Sequence, residues 1–262
     1  MESLSISLDA AHSTGLLLAV IRVTSFAIAS LPFGQVLPMS ARLAMAFALG
    51  SFFAEPFEGS LSTASVLGAA AVNAGVGAAL GWFTSLILQV FFTAGAVLDI
   101  LSGLFAAVLF DPGMGDRAGV YARLFNMSAL ALFYVVGGLE LLIRGLGFSF
   151  SVVGVDGGLA PDPGALAQSA TELLGRVMVA GIELILPVAA ALFLTEVVLG
   201  LASRFSPQTN IFMLGLPAKL LISLTMVSTS IMLFPEVMGG ALDTIESVFD
   251  STLGALVGDP NP

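Results

Sequence analysis

Seven polar side chains stand within or near otherwise apolar stretches of this chain: Arg22, Asn73, Gln89, Asp99, Glu140, Glu183 and Glu196. An ionised group at membrane depth costs at least ~2.5 kcal/mol on insertion scales, so each must face protein or a watery cavity, or else lie at a helix end or above the membrane. None of the constellations that carry covalent or metal chemistry accompanies them. Cysteine is absent and His12 is the only histidine, which excludes disulfides, thiolate sites and transition-metal ligation. His12 sits in a polar stretch ahead of the first apolar run, where it is a solvated residue and not the base beside a serine nucleophile. There is no H-E-x-x-H, and Lys219, the only lysine, follows no glycine-rich phosphate loop. Glu183 and Glu196 are thirteen residues apart, about 220° around a helix, so they do not form a paired-carboxylate site on one helix. The residues predict no catalytic group, no metal and no cofactor.

The elements that would hold these polar residues follow from composition. Of 262 residues, 57% are hydrophobic and 10% charged, and the mean hydropathy is +1.04. One water-soluble core cannot hide that much apolar side chain behind so few charges. Lipid or other apolar helices must cover the rest. The net charge of −10 and the absence of a basic patch exclude nucleic acid as a partner. Six apolar regions run from about Ser13 to Leu31, Pro38 to Ala54, Ala64 to Leu109, Val120 to Leu146, Val177 to Ala202 and Ile211 to Phe234. A helix needs about 20 residues to cross a bilayer, so the second region is short and the third overlong. Gly95 and Gly103 are the expected hinges of the third, and Pro187 and Pro217 are expected to kink the fifth and sixth. Continuous apolarity favours helices over the alternating strands of a membrane barrel. The fold class is therefore all-α and polytopic, with about six apolar helical regions, several kinked or broken.

Punctuation lies at Pro32 to Pro38, Glu55 to Gly59, Asp111-Pro112-Gly113 and Gly154 to Gly164, the last being the best internal boundary. The N-terminus lacks the basic stretch of a cleaved signal peptide, so the first apolar run is expected to remain. Arg42, Arg117, Arg123, Arg204 and Lys219 flank alternate connections, which places both acidic tails outside if there are six crossings. Ala70, Ala74, Gly77 and Gly81 recur at helical spacing and include a G-x-x-x-G, a face on which two backbones can approach. That face serves either generic helix packing or a specific subunit interface.

The order of short motifs is more specific than any of these features. Arg22 precedes Leu31-Pro32-Phe33 and Val36-Leu37-Pro38 with Arg42, then come the Gly77 to Gly81 helix, Thr93-Ala94-Gly95, Ser102-Gly103-Leu104 and Phe110-Asp111-Pro112. The second half has Ile185-Leu186-Pro187 and Leu199 to Arg204, running into Ser206-Pro207-Gln208-Thr209-Asn210-Ile211-Phe212 and Gly215-Leu216-Pro217-Ala218-Lys219. Over nearly its whole length the chain resembles the FliR family of flagellar export-gate membrane proteins, whose relatives serve virulence injectisomes. The wording around Gly215 is closer to the flagellar branch. The resemblance implies a FliP-like helical part (1–155) and a FliQ-like part (165–262), joined by the Gly/Pro loop near 154–164. It implies a non-enzymatic component of a hetero-oligomer with FliP-like, FliQ-like and FlhB-like subunits, in the bacterial inner membrane at the flagellar basal body, passing unfolded flagellar proteins. In such gates many helices are raised above the bilayer plane.

The resemblance further implies a channel plug at Gly103, Phe105, Leu109, Phe110, Asp111, Pro112 and Met114. Subunit packing is expected at Ala70, Ala74, Gly77, Gly81, Arg204, Pro207, Gln208, Asn210, Phe212, Pro217 and Lys219. Many relatives have an acid where this chain has Asn73 and another where it has Ala96; Asp99, one turn on, is the candidate substitute. The alternative class is a small-solute or ion-coupled secondary transporter, which calls for inverted repeats with matching broken helices. Pro187 and Pro217 have no clear partners in the first half.

Overall fold

The computed structural model describes residues 2–105, 119–158, 163–205, 211–243 and 246, and among these there is helix and no strand. In chain order the helices are α1 (Glu2–Ala29), α2 (Leu31–Val36), α3 (Met39–Phe52), α4 (Thr63–Ser102), α5 (Val120–Val135), α6 (Gly138–Val152), α7 (Pro163–Phe205) and α8 (Ile211–Ser230). A 3-10 turn at Ile231–Leu233 leads into α9, residues 234–243. Within the described residues each of the six apolar regions is largely helical, as a chain deprived of water must be to satisfy its own backbone.

The breaks are set by particular residues. The stretch from Pro32 to Pro38 holds α2, with proline in its first turn, where the missing N–H costs nothing. The third region begins as one 40-residue helix, α4, which is unbroken at Gly95. Its end comes at Gly103, whose φ of 84° is open to glycine and strained for other residues. The fourth region is interrupted at Val136 and Gly137, the latter at φ 95°. Pro187 and Pro217 lie inside helices that continue past them. The polar N-terminal stretch is the start of α1, with His12 exposed on it.

Among the described residues four stretches are long and apolar enough to cross a membrane: Ala10–Ala29, Thr63–Ser102, Leu174–Phe205 and Gly215–Asp243. The count reaches five if α5 and α6 form one broken span. At 14 residues, α3 is too short to cross alone.

Two compact units divide the chain, and they interleave along it. The first takes residues 1–86, 138–173 and 245–262. Its core is built on α1, with Leu18, Ala19, Val23, Phe26 and Ala27 buried, and on Phe53 stacked over Phe150 at 5.3 Å. The second takes residues 87–137 and 174–244. There Phe234 meets Phe91 at 5.1 Å and Phe125 at 4.8 Å between ring centroids, beside buried Leu98, Phe133, Leu184 and Val188. Tyr121 reaches Ser223 with an O···O distance of 2.7 Å, which satisfies a phenol hydroxyl that burial would otherwise orphan, while Ser223 Oγ donates to Leu220 O.

Candidate functional site

The buried charged residues are spent on helix ends. Arg22, fully buried on α1, fans its guanidinium over the C-terminus of α6. Nη1 donates to Ser149 O at 2.8 Å, and Nη2 donates to Val153 O at 2.7 Å and Gly154 O at 3.1 Å. Nε donates to Asn73 Oδ1 at 2.9 Å, and the group lies 4.1 Å from the centroid of the Phe150 ring. Asn73 Nδ2 in turn donates to Ala69 O and to Val155 O, at 2.8 and 2.9 Å. The last carbonyls of a helix have no partners of their own and carry the negative end of its dipole, so a cation placed there satisfies both needs at once. Asp156 is the acid whose charge acts on this guanidinium. The turn after α6 is thus held from two helices of its unit.

Arg42 repeats the device at the surface, donating from Nε to Leu37 O at 2.9 Å and from Nη2 to Gly34 O at 2.6 Å, which closes the end of α2. Asp99 supplies the opposite sign at the opposite kind of end. Fully buried on α4, it accepts from Tyr121 N and Ala122 N at 2.9 Å each. These are among the first, otherwise orphaned N–H groups of α5, a helix with no acid in its own first turn. Gly119 precedes them because a Cβ there would fall on the Asp99 carboxylate.

The outer faces of the last two long helices are of another kind. In α4 half of the most apolar window is buried, but in the spans Leu174–Phe205 and Gly215–Asp243 only 22% is. Met178, Ile182, Leu186, Phe193, Leu194 and Val198 all stand out from α7. Such a continuous apolar surface is a lipid or protein contact.

Comparison with known proteins decides the family. Residues 13–245 match the model of the bacterial export proteins, family 1. The chain belongs to this family. Among similar proteins, the flagellar biosynthetic protein FliR of Bacillus subtilis (strain 168) is 29% identical over 154 residues, which is 58% of this chain and 59% of that protein. FliR of Escherichia coli (strain K12) is 29% identical over 153 residues, 58% of each chain. The surface presentation of antigens protein SpaR of Salmonella typhimurium is 30% identical over 147 residues, 56% of this chain and 54% of SpaR. The matched stretch therefore spans about six tenths of the length of the flagellar relatives. The family is not a known enzyme family, and among the described residues no group of three or more acids and His or Cys could hold a metal ion.

In this export-family fold the G-x-x-x-G face of α4 meets α1 of the same chain. A Cβ at Gly77 would fall on Arg22 O and Ser25 Oγ, and one at Gly81 would lie 2.6 Å from Phe26 O. Ala70 and Ala74 on the same helix are half-buried. Gly95 makes its own close approach, to the backbone of Tyr121 and Ala122. Lys219 is ion-paired with Glu196, joining α8 to α7, while Arg204 is exposed in the last turn of α7. Pro217 is exposed near the start of α8, and Phe212 belongs to its first turn. Pro207, Gln208 and Asn210 lie outside the described residues. Of the plug residues, Gly103 ends α4 and Phe105 follows it, 37% exposed; Leu109, Phe110, Asp111, Pro112 and Met114 lie outside the described residues.

Sequence reasoning singled out Arg22, Asn73 and Asp99 as polar but did not find their partners, most of which are backbone atoms. One readable signal was passed over. Gly119 stands directly before an apolar helix that has no acid in its first turn, a helix start that calls for an anion from elsewhere.

Proposed function

We propose that this chain is a component of a type III protein export gate in the bacterial inner membrane. With FliP-like, FliQ-like and FlhB-like subunits it forms the channel for unfolded flagellar proteins at the flagellar basal body. The match over residues 13–245 carries the reading, and the names of the relatives, flagellar FliR and the injectisome protein SpaR, point to its two branches. Physical support comes from the uncovered apolar faces of α7 and α8, which suit a subunit of a helical assembly. The buried charged groups support it too. They are tied up in helix ends, and the chain acts by shape and packing without catalysis.

Within this reading the 1–155 part is FliP-like and the 165–262 part FliQ-like, and the segment from Gly103 through Met114 closes the channel. Phe105, Leu109 and Phe110 would exclude water and ions by dewetting, as a membrane holding a proton gradient demands. The test is a tagged copy expressed in cells with the rest of the gate. FliP-like and FliQ-like subunits should co-purify, and changing Phe105, Leu109 and Phe110 together to serine should make cells leak small dyes. A wild-type chain that co-purifies with no export subunit refutes the gate. A tight membrane around a normally assembled triple-serine gate refutes the plug.

A further inference from the structure

We propose that Glu183 is the docking point for a lysine or arginine on a membrane-spanning helix of another subunit, seated on the open face of α7. This rests on the gate reading and names one partner chemistry within it. Glu183 lies nine residues into the apolar span Leu174–Phe205 and is exposed. Its neighbours on the helix surface are apolar and also exposed: Val179 at 55%, Ile182 at 54% and Leu186 at 60%. Three of the other acids within or near the apolar helices are compensated, whereas Glu236, seven residues before the end of the span Gly215–Asp243, is not among the described residues paired. Asp99 holds the start of α5, Glu196 pairs with Lys219, and Glu140 pairs with Arg144 one turn on. Glu183, deeper in its span and flanked by exposed apolar side chains, has no hydrogen bond or ion pair among the described residues.

An uncompensated carboxylate in the middle of an apolar face is not covered by hydrocarbon at low cost, so the occupant must bring a positive charge to that depth. A second copy of this chain does not fit. Copies in one membrane share an orientation, so α7 packed on α7 through this face would set Glu183 against Glu183. Among the described residues the basic groups a copy could offer are also engaged: Arg22 and Arg42 on carbonyls, Arg144 and Lys219 in ion pairs, Arg123 and Arg176 with partners of their own. Arg204 is free to the outside only at the far end of α7, about 30 Å along the helix. A different subunit with a basic residue inside its span satisfies the charge and the apolar surface together.

The experiment uses the complete gate in cells, with a photo-crosslinking residue at Ile182 or Leu186. The crosslinked peptide should come from an apolar helix of another gate subunit, with Lys or Arg within one turn of the attachment point. Glu183→Lys should lower recovery of that subunit at least tenfold, and changing the identified basic residue to glutamate should restore it to within twofold of wild type. Glu183→Gln, which does not burden membrane insertion, should give an intermediate loss. Crosslinks to lipid only, to a second copy, or to a helix without a base overturn the proposal, and so does full recovery of the subunit with Glu183→Lys or failure of the compensating change. If the wild-type chain assembles with export subunits while any of these occurs, only the role of Glu183 falls. If the wild-type chain assembles with none, the gate reading itself falls.

Discussion

Replacing Arg22 should open the turn after α6 by an amount that can be measured in intact membranes. Methionine at this position keeps most of the apolar stem but removes every donor. It strands Asn73 Oδ1 and Val153 O in a buried site and takes the charge-assisted donor from Ser149 O and Gly154 O, which keep the backbone N–H groups of Val153 and Gly157. An orphaned buried acceptor costs about 1–3 kcal/mol, and the two that keep a donor lose less; because all four share one group their losses are not additive, and the total is about 3–5 kcal/mol. Lysine keeps the charge but gathers its donors on one nitrogen, so it cannot span acceptors on two helices; about 1.5–3 kcal/mol should be lost.

The chain has no cysteine, so a single cysteine at Val155, buried in the pinned turn, can serve as the reporter. Its rate of modification by a thiol reagent follows the population of the open turn when opening is fast compared with labelling. At about 1.4 kcal/mol per tenfold, Arg22→Met should speed labelling at least a hundredfold and Arg22→Lys by about tenfold or more. Asn73→Ala should act in the same direction, and the double variant should fall short of the sum because both changes break one cluster. Labelling in Arg22→Met within twofold of the parent would refute the idea that this guanidinium holds the turn.

Three further outcomes are expected. With a cysteine at buried Ala122, Asp99→Ala should raise labelling at least a hundredfold through loss of charge-assisted bonds worth about 1.5–3 kcal/mol each; Asp99→Asn, which keeps one acceptor, should give a smaller rise. Gly119→Ala should loosen the same site, and combining it with Asp99→Ala should add little, because the clash is with the carboxylate removed; full additivity would contradict the shared contact. On α4, Gly81→Val should reduce the amount of folded chain in membranes because its Cβ meets the α1 backbone. Gly75→Ala, with nothing within 4 Å of its Cβ, should be neutral or gain up to about 1 kcal/mol in helix propensity, and equal behaviour of the two would disprove the packing. Lys219→Gln should change stability by less than about 1 kcal/mol, since Glu196 is more than half exposed, and a larger loss in a detergent melt would mean the pair is shielded in the assembly.

Helices were legible in the sequence because apolarity at this density leaves a chain no other way to bond its backbone. Their ends were legible only where the stop is intrinsic to a residue. Gly103 and the proline-bounded start of α2 are such stops, and both were marked. Gly95 is less legible because glycine permits two uses, bending and close approach, and one sequence does not distinguish them; here the helix is unbroken at Gly95, which admits the backbone of α5. The partners of Arg22 were invisible for a different reason. Most are carbonyl oxygens, which every residue possesses, so no residue type at Val153 or Gly154 announces the bond. Asn73 was noticed as a departure from relatives that carry an acid, but its fit to Arg22 and to Val155 O depends on an amide that donates and accepts at once.

The length of α7 makes its own case for protein neighbours. Its apolar span of 32 residues is about 48 Å long at 1.5 Å per residue, against a hydrocarbon thickness of about 30 Å. Lipid can cover about 20 residues of an upright helix, and about 26 of one tilted by 40°, the steepest tilt common in membrane proteins. At least six residues of the span then lie outside hydrocarbon whichever way the helix leans, and apolar side chains are among them at either end. This chain does not supply the cover, because only 22% of the most apolar window is buried by the rest of the fold. Water cannot supply it either: Leu194, Val198, Leu201 and Phe205 at one end, and Met178, Val179 and Ile182 at the other, each expose more than half of their surface. A helix of this kind is stable only beside other apolar helices that continue past the membrane surface with it. The stack of helices that the family resemblance places above the bilayer plane is the kind of assembly this geometry requires.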